Sequence, residues 1–245
     1  MVEVWELTGK QFESSERVIA VLPVGSVERH GDHLPIGTDA IEALWVASRV
    51  AERLKAHLFP PIWYGVSPGL SRFPGTINVD PEAFISYLYS VLREIARNGY
   101  RLIVIINGHG GNTSSIRVAM KRAAYDQGVT IVLFDWWRDA GTKVLKELFR
   151  SPGHAGEDET SAMLYIDGEH VDMSSAGAHE PGWLPRYYVE SPAVDEALYP
   201  RAVLGDARSA SAEKGKAWLE AVVSDIVEMV EDLITRLGLR RSTTS

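Results

Sequence analysis

Residues 24–40 read VGSVERHGDHLPIGTDA, a run that gathers Glu28, His30, His33 and Asp39 directly after an apolar segment. Glu28 and His30 are two positions apart, so in extended chain they point the same way. His109 sits in NGHGGN, and His154, Glu157 and Glu159 in GHAGEDETSAML. The chain has no cysteine, so a metal would have to be held by His, Asp and Glu, a donor set that suits Zn²⁺, Mn²⁺ or Fe²⁺. The three carboxylates Glu28, Asp39 and Glu159, with His30 and His109, outnumber the ligands of one catalytic zinc. They suit two divalent ions ~3.5–4 Å apart, bridged by a carboxylate and a hydroxide. Such a pair supplies a nucleophilic hydroxide near neutral pH, so hydrolysis is the natural chemistry.

Each residue alone has a plainer reading. Asp39 could cap a helix. Glu28 beside Arg29 could be a surface ion pair. The glycines of NGHGGN could cradle a phosphate at a helix N-terminus, although no P-loop lysine follows. Glu157 and Asp158 suit the first turn of a helix by charge alone. Taken singly, His33, His57, His170 and His179 read as ordinary polar or structural side chains, and Trp136 and Trp137 as core or pocket wall.

The elements that must carry these groups alternate. Residues 17–24, 101–107 and 129–137 read as buried strands, and 58–65 as a short strand broken by prolines. Helices are expected over 39–57, 81–98, 112–127 and 212–238, with another beginning near Glu157. On the last, Glu159 shares a stripe with Ala162, Met163 and Ile166, whereas Glu157 lies about 200° away. On the first, Ile41, Leu44, Ala47, Val50, Ala51 and Leu54 form the inner stripe. On the second, Phe84, Leu88, Val91 and Ile95 do. Alternating strands and helices imply an α/β fold with a mostly parallel sheet covered on both faces. In such folds a ligand binds beyond the carboxyl ends of the strands, where both histidine-rich segments fall.

The 245 residues, 45% hydrophobic and 24% charged, suit one domain spanning 1–245 with a frayed tail over 238–245. The net charge of −8 and the absence of a basic cluster argue against nucleic acid and anionic membrane as partners. No apolar run approaches the ~18–20 residues of a membrane span, and the acidic N-terminus does not read as a signal peptide. A cytoplasmic location is the expectation.

The segments PVGSVERHGDHLPIGTDA, NGHGGN and GHAGEDETS, in this order over 23–161, resemble the creatininase family of amidohydrolases. The resemblance implies a three-layer α/β sandwich, a homo-oligomer (a hexamer built from dimers) and a two-metal site. By position, Glu28 and His109 resemble the ligands of one metal, His30 a ligand of the other and Asp39 the bridge. His154 resembles the histidine that delivers a proton to the leaving nitrogen. Creatinine-hydrolysing members carry Tyr-Glu after the motif histidine, and that Glu binds the second metal; here Gly110 and Gly111 stand there. Glu159 is the expected replacement, with Glu157 second. NGHGGN resembles the branch of the archaeal formamidopyrimidine ribotide deformylases and the mycofactocin maturation peptidases. Gly110, Gly111 and the helix opened by Asn112, with His33, are the expected substrate contacts. The implied activity is cleavage of a non-peptide amide or formamide C–N bond in a small molecule, with creatinine as an alternative substrate. A two-metal phosphoesterase and a non-catalytic metal-binding subunit are the rival readings.

Overall fold

The computed structural model describes residues 2–187 and 189–239. Its centre is a five-stranded sheet: β1 (Val2–Glu3), β2 (Ile19–Val24), β3 (His57–Leu58), β4 (Leu102–Asn107) and β5 (Thr130–Asp135). The strands lie in the order β1-β3-β2-β4-β5, and every pairing is parallel. Val24 pairs with Asn107 and Asn107 with Asp135, so β2, β4 and β5 end level with one another.

The helices are α1 (Gly9–Ser14), α2 (Thr38–Leu54), α3 (Pro81–Arg97), α4 (Thr113–Gln127), α5 (Trp136–Asp139), α6 (Thr142–Leu148), α7 (Glu157–Asp167), α8 (Pro192–Leu198) and α9 (Ala212–Leu237). One face of the sheet presents Val21, Val104 and Ile106 to α2 and α9, where Val46, Val50, Trp218 and Ile226 are buried. The other face presents Leu22, Ile103 and Ile105 to α3 and α4, where Phe84, Leu88, Leu92 and Ile116 are buried. Both sides of each central strand are therefore apolar, which is why the strands read as continuous hydrophobic runs. Truncating a residue such as Leu88 would cost about 2–5 kcal/mol.

From β2 the chain passes through α2 to β3 on one side; from β4 it passes through α4 to β5 on the other. The two central strands thus send their connections in opposite directions, and a crevice opens between their carboxyl ends. The start of α2 is pressed into that crevice. A Cβ on Gly25 would fall 2.3 Å from the Ala40 Cα, and one on Gly108 would fall 2.1 Å from the Asp39 carbonyl oxygen. Glycine at both strand exits is what lets α2 carry Asp39 between them.

Several boundaries differ from the sequence reading. The first long helix stops at Leu54 because Lys55 turns left-handed, which frees His57 for β3. Its buried stripe is Ala43, Val46, Ala47, Val50, Ala51 and Leu54, with Ile41 and Leu44 only half-buried. On α3 the inner position is Leu92 rather than Val91. Beyond β3 the proline-containing segment contributes a single bridge, Ile62 to Val24; Pro60 and Pro61 have no N–H to extend a ladder. β5 ends at Asp135, and Trp136 and Trp137 begin α5. β1 and α1, the latter closed by a Thr8–Gln11 capping box, were not foreseen. Neither were α8 nor the small antiparallel pair β6 (Ala178–His179) and β7 (Gly205–Asp206). Gly238 closes α9 in the left-handed conformation. The rest of the expected frayed tail, 240–245, lies outside the described residues.

Candidate active site

The loop from β2 to α2 brings Glu28 and His30 to the crevice. The Nδ1 of His30 pairs with the Glu28 carbonyl oxygen at 3.0 Å. This turns Nε2 toward Asp39 Oδ1, at 3.1 Å, and Glu159 Oε2, at 3.5 Å. Asp39 lies in the first turn of α2, but the cap position is Gly37 and no side chain caps the helix. The helix-capping reading of Asp39 is therefore wrong: its carboxylate is shared, Oδ1 facing His30 and Oδ2 facing His109 Nδ1 at 3.1 Å. Arg29 does not pair with Glu28 either; its guanidinium bonds Asp32.

His109 follows β4 directly. Its Nδ1 faces Glu28 Oε1 at 3.4 Å as well as Asp39, while its Nε2 meets the Val66 carbonyl at 2.9 Å and Ser67 Oγ at 3.2 Å. His154, ahead of α7, points Nδ1 at Glu28 Oε1, 3.6 Å away, and holds the Arg29 carbonyl with Nε2 at 2.9 Å. Its ring centroid lies 4.3 Å from that of His30.

The first turn of α7 separates the two glutamates. Glu159 Oε2 accepts the Ala155 N–H at 2.5 Å and faces His30. Glu157 points away: Oε2 accepts the Arg150 and Ser151 N–H groups at 2.7 and 3.0 Å, and Oε1 takes the Lys214 ammonium at 2.6 Å. Burial alone would raise the Glu157 pKa, but Lys214 and those N–H groups hold it below the usual range.

Three tight carboxylate–histidine groups result: Glu28–Asp39–His109 and His30–Asp39–Glu159, which share Asp39, and Glu28–His30–His154. In each of the three histidines one ring nitrogen is engaged by a backbone carbonyl, so the other turns a lone pair toward carboxylate oxygens. Facing lone pairs repel unless a proton or a cation sits between them. Glu28 Oε2 and Asp39 Oδ2 are buried without a hydrogen-bond partner. Burial lowers the pKa values of His30 and His109, yet the carboxylates outweigh it and raise both well above the ordinary value. For Asp39 burial acts upward, and His30 and His109 bring the net shift downward. Geometry and electrostatics both fit divalent cations, which would satisfy the orphaned oxygens and displace the protons.

Glu28, Asp39, His109, His154 and Glu159 line a cavity of about 820 Å³ together with Gly110, Gly111, Trp137 and Tyr199. Gly110 and Gly111 both line it, but their packing differs. A Cβ on Gly110 would meet only Trp137, at 3.8 Å; one on Gly111 would fall 2.1 Å from the Val66 oxygen and 2.5 Å from His109 Nε2. Gly111 is thus a packing requirement of the His109 anchor. Two expected substrate contacts are corrected. The Asn112 side chain is buried, accepting from the Val66 N–H at 2.8 Å and donating to the Gly25 carbonyl at 2.9 Å, so it ties loops together. His33 is buried against Thr160 Oγ1 at 2.8 Å and does not line the cavity.

Three neighbours escaped the sequence reading. Ser67 supports His109 and bonds Ser26 at 2.6 Å. Tyr199 sets its ring edge-on to His154 at 5.7 Å. Glu42 is buried with neither oxygen partnered, and burial, Glu159 and Asp39 together raise its pKa well above the ordinary value. Its spacing of three from Asp39 places it on the same helix face, a signal that could have found it. Nothing local in the sequence marks Tyr199.

The Creatininase family profile, described as creatinine amidohydrolase, matches residues 5–230. A mycofactocin precursor peptide peptidase of Mycobacterium ulcerans is 34% identical over 249 residues, 96% of this chain and 90% of that protein. A 2-amino-5-formylamino-6-ribosylaminopyrimidin-4(3H)-one 5'-monophosphate deformylase of Methanothermobacter thermautotrophicus is 38% identical over 157 residues, 60% of this chain and 58% of that protein. A crystal structure of creatinine amidohydrolase superposes with a TM-score of 0.83 at 31% identity, covering 94% of this chain and 97% of that one.

Proposed function

The chain belongs to the creatininase family, and from that premise we propose that it hydrolyses an amide or formamide C–N bond, other than a peptide bond, at a two-metal site. The observation that carries this is the pair of carboxylate–histidine groups meeting at Asp39. Glu28 and His109 would hold one ion, His30 and Glu159 the other, and Asp39 both; zinc, manganese and iron suit these donors. Bound there, the ions lower the pKa of water and polarise the carbonyl under attack.

The protein's own groups do the rest. The backbone carbonyls on His30 Nδ1 and His109 Nε2 fix each ring so that the other nitrogen stays presented. His154, anchored through Nε2, receives a proton at Nδ1 and hands it to the departing nitrogen. Glu28 Oε1 lies 3.6 Å from that Nδ1, on the side of the ring that faces the cluster. The N–H groups of Gly110 and Gly111 open a turn and so lack helical acceptors, which suits them to a developing oxyanion.

The cavity is of the size that takes drug-like ligands, and Gly110 leaves room beside Trp137, so the scaffold we propose is larger than creatinine. A formamide on a pyrimidine ribotide is the preferred substrate. The reading includes a cytoplasmic homo-oligomer, hexameric as the family resemblance implies, without nucleic acid or membrane as partner; no helix among the described residues is long and apolar enough to cross a membrane. Metal-loaded enzyme assayed side by side on creatinine and a formylaminopyrimidine ribotide tests the choice. Creatinine should be turned over at least ~10²-fold more slowly, a difference of about 2.7 kcal/mol in barrier. Efficient creatinine turnover would sink this reading of the pocket.

A further inference from the structure

Two arginines line the cavity outside the carboxylate–histidine cluster, Arg117 and Arg138. Arg138 is committed: it pairs with Asp135 at 2.5 Å and with Asp139 at 3.1 Å. Arg72, at the adjoining rim, is spent on the backbone oxygens of Gly69, Asp195 and Tyr199. Arg117 is exposed and has no hydrogen bond or ion pair among the described residues. It stands in the second turn of α4, three residues after Ser114, so the two side chains share one face of the helix. That face opens on the cavity, since both residues line it. The other charged side chains of the outer cavity, Glu190 and Asp195, are acidic. An anionic group entering the outer cavity is repelled by those carboxylates and has one uncommitted fixed cation to meet.

The geometry points to Arg117, with the Ser114 hydroxyl, as the subsite for an anionic end of the substrate, a phosphate or a carboxylate carried on the far side of the scaffold from the scissile bond. This rests on the reading of the cluster as a C–N hydrolase site. Guanidinium matches the paired oxygens of either group with two parallel N–H donors. Charge there would act on binding rather than on the bond being broken, so its effect belongs in KM.

The test uses metal-loaded enzyme, wild type and Arg117→Gln, in two arms. In the first, phenyl phosphate is titrated calorimetrically; its Kd should rise at least ~10-fold in the variant, about 1.4 kcal/mol. In the second, 4-formamidophenyl phosphate and formanilide are compared as substrates. KM for the phosphorylated compound should rise by a similar factor with kcat within about twofold, and formanilide should be unaffected. Unchanged Kd and KM would place the anion on the metals and overturn the assignment. Turnover of neither compound by the wild type would sink the hydrolase reading, while the binding arm still decides Arg117. Because Arg117 is exposed, its replacement should not disturb folding; Arg117→Lys, which keeps the charge but loses the paired donors, should recover part of the affinity.

Discussion

Substituting alanine at Gly111 tests how the site is held. The Val66 carbonyl and His109 Nε2 are 2.9 Å apart and hydrogen-bonded, and a Cβ at residue 111 would fall 2.1 Å from the first and 2.5 Å from the second. No rotamer relieves the clash, because Cβ is fixed by the backbone. The turn must shift, and the bond that fixes the His109 ring goes with it. Leaving that half-buried pair unmade costs about 1–3 kcal/mol, which for a chain of this size lowers Tm by ~2–4 °C per kcal/mol. The loss of an outer partner of a ligating histidine weakens metal binding roughly 10–100-fold. Gly110→Ala is the control, since its Cβ would meet only Trp137 at an ordinary 3.8 Å. Zinc titrated calorimetrically into metal-free protein should therefore show weakened binding for Gly111→Ala and near wild-type binding for Gly110→Ala. Equal affinities, or a loss confined to Gly110→Ala, would refute the claim that Gly111 is required by the His109 anchor. By the same reasoning, Gly111→Glu should not create a creatinine hydrolase.

Other outcomes follow from the site. Glu159→Gln should lower occupancy of one metal position by elemental analysis, because Glu159 faces His30. Glu157→Gln should leave metal content unchanged but reduce stability by about 1–3 kcal/mol, since a charged acceptor of two N–H groups and Lys214 is lost. Glu157 has a depressed pKa in the folded state, so its contribution is present above the ordinary glutamate pKa and is lost as pH falls through the lowered value. The variant should accordingly show a flatter acid limb in urea unfolding followed against pH. His30 and His109 have raised pKa values without metal, so protons compete for the ligand positions. Metal affinity should weaken as pH falls through those raised values, and loading at pH 7 should release protons detectable with an indicator dye.

The core strands were legible because both their faces are buried, which makes the apolar runs continuous. The segment after His57 was less so, because Pro60 and Pro61 leave it one bridge to Val24 where a strand was expected. β1 has only two residues, too few for any periodicity to register. At the site, Glu28, His30, Asp39 and His109 could be read as a set because histidines and carboxylates cluster where β2 and β4 end, and Glu159 joined them from the inward stripe of α7. The choice of Glu159 over Glu157 followed from the turn angle of α7, and the geometry places Glu159 against His30. Asn112 misled because a side chain beside a glycine turn looks available, whereas packing spends both ends of its amide on the backbone. Tyr199 reaches His154 through the tertiary arrangement of a loop far along the chain, and no local pattern announces that.

The most direct measurement is hydrolysis of the formylaminopyrimidine ribotide by metal-free enzyme titrated with zinc or manganese, wild type beside Asp39→Ala. The two groups share Asp39, so wild-type activity should rise to a plateau at two equivalents per chain. Asp39→Ala should retain neither ion and show no activity at any addition. Full activity without metal, or an Asp39→Ala protein that still binds two ions and turns over, would contradict the account.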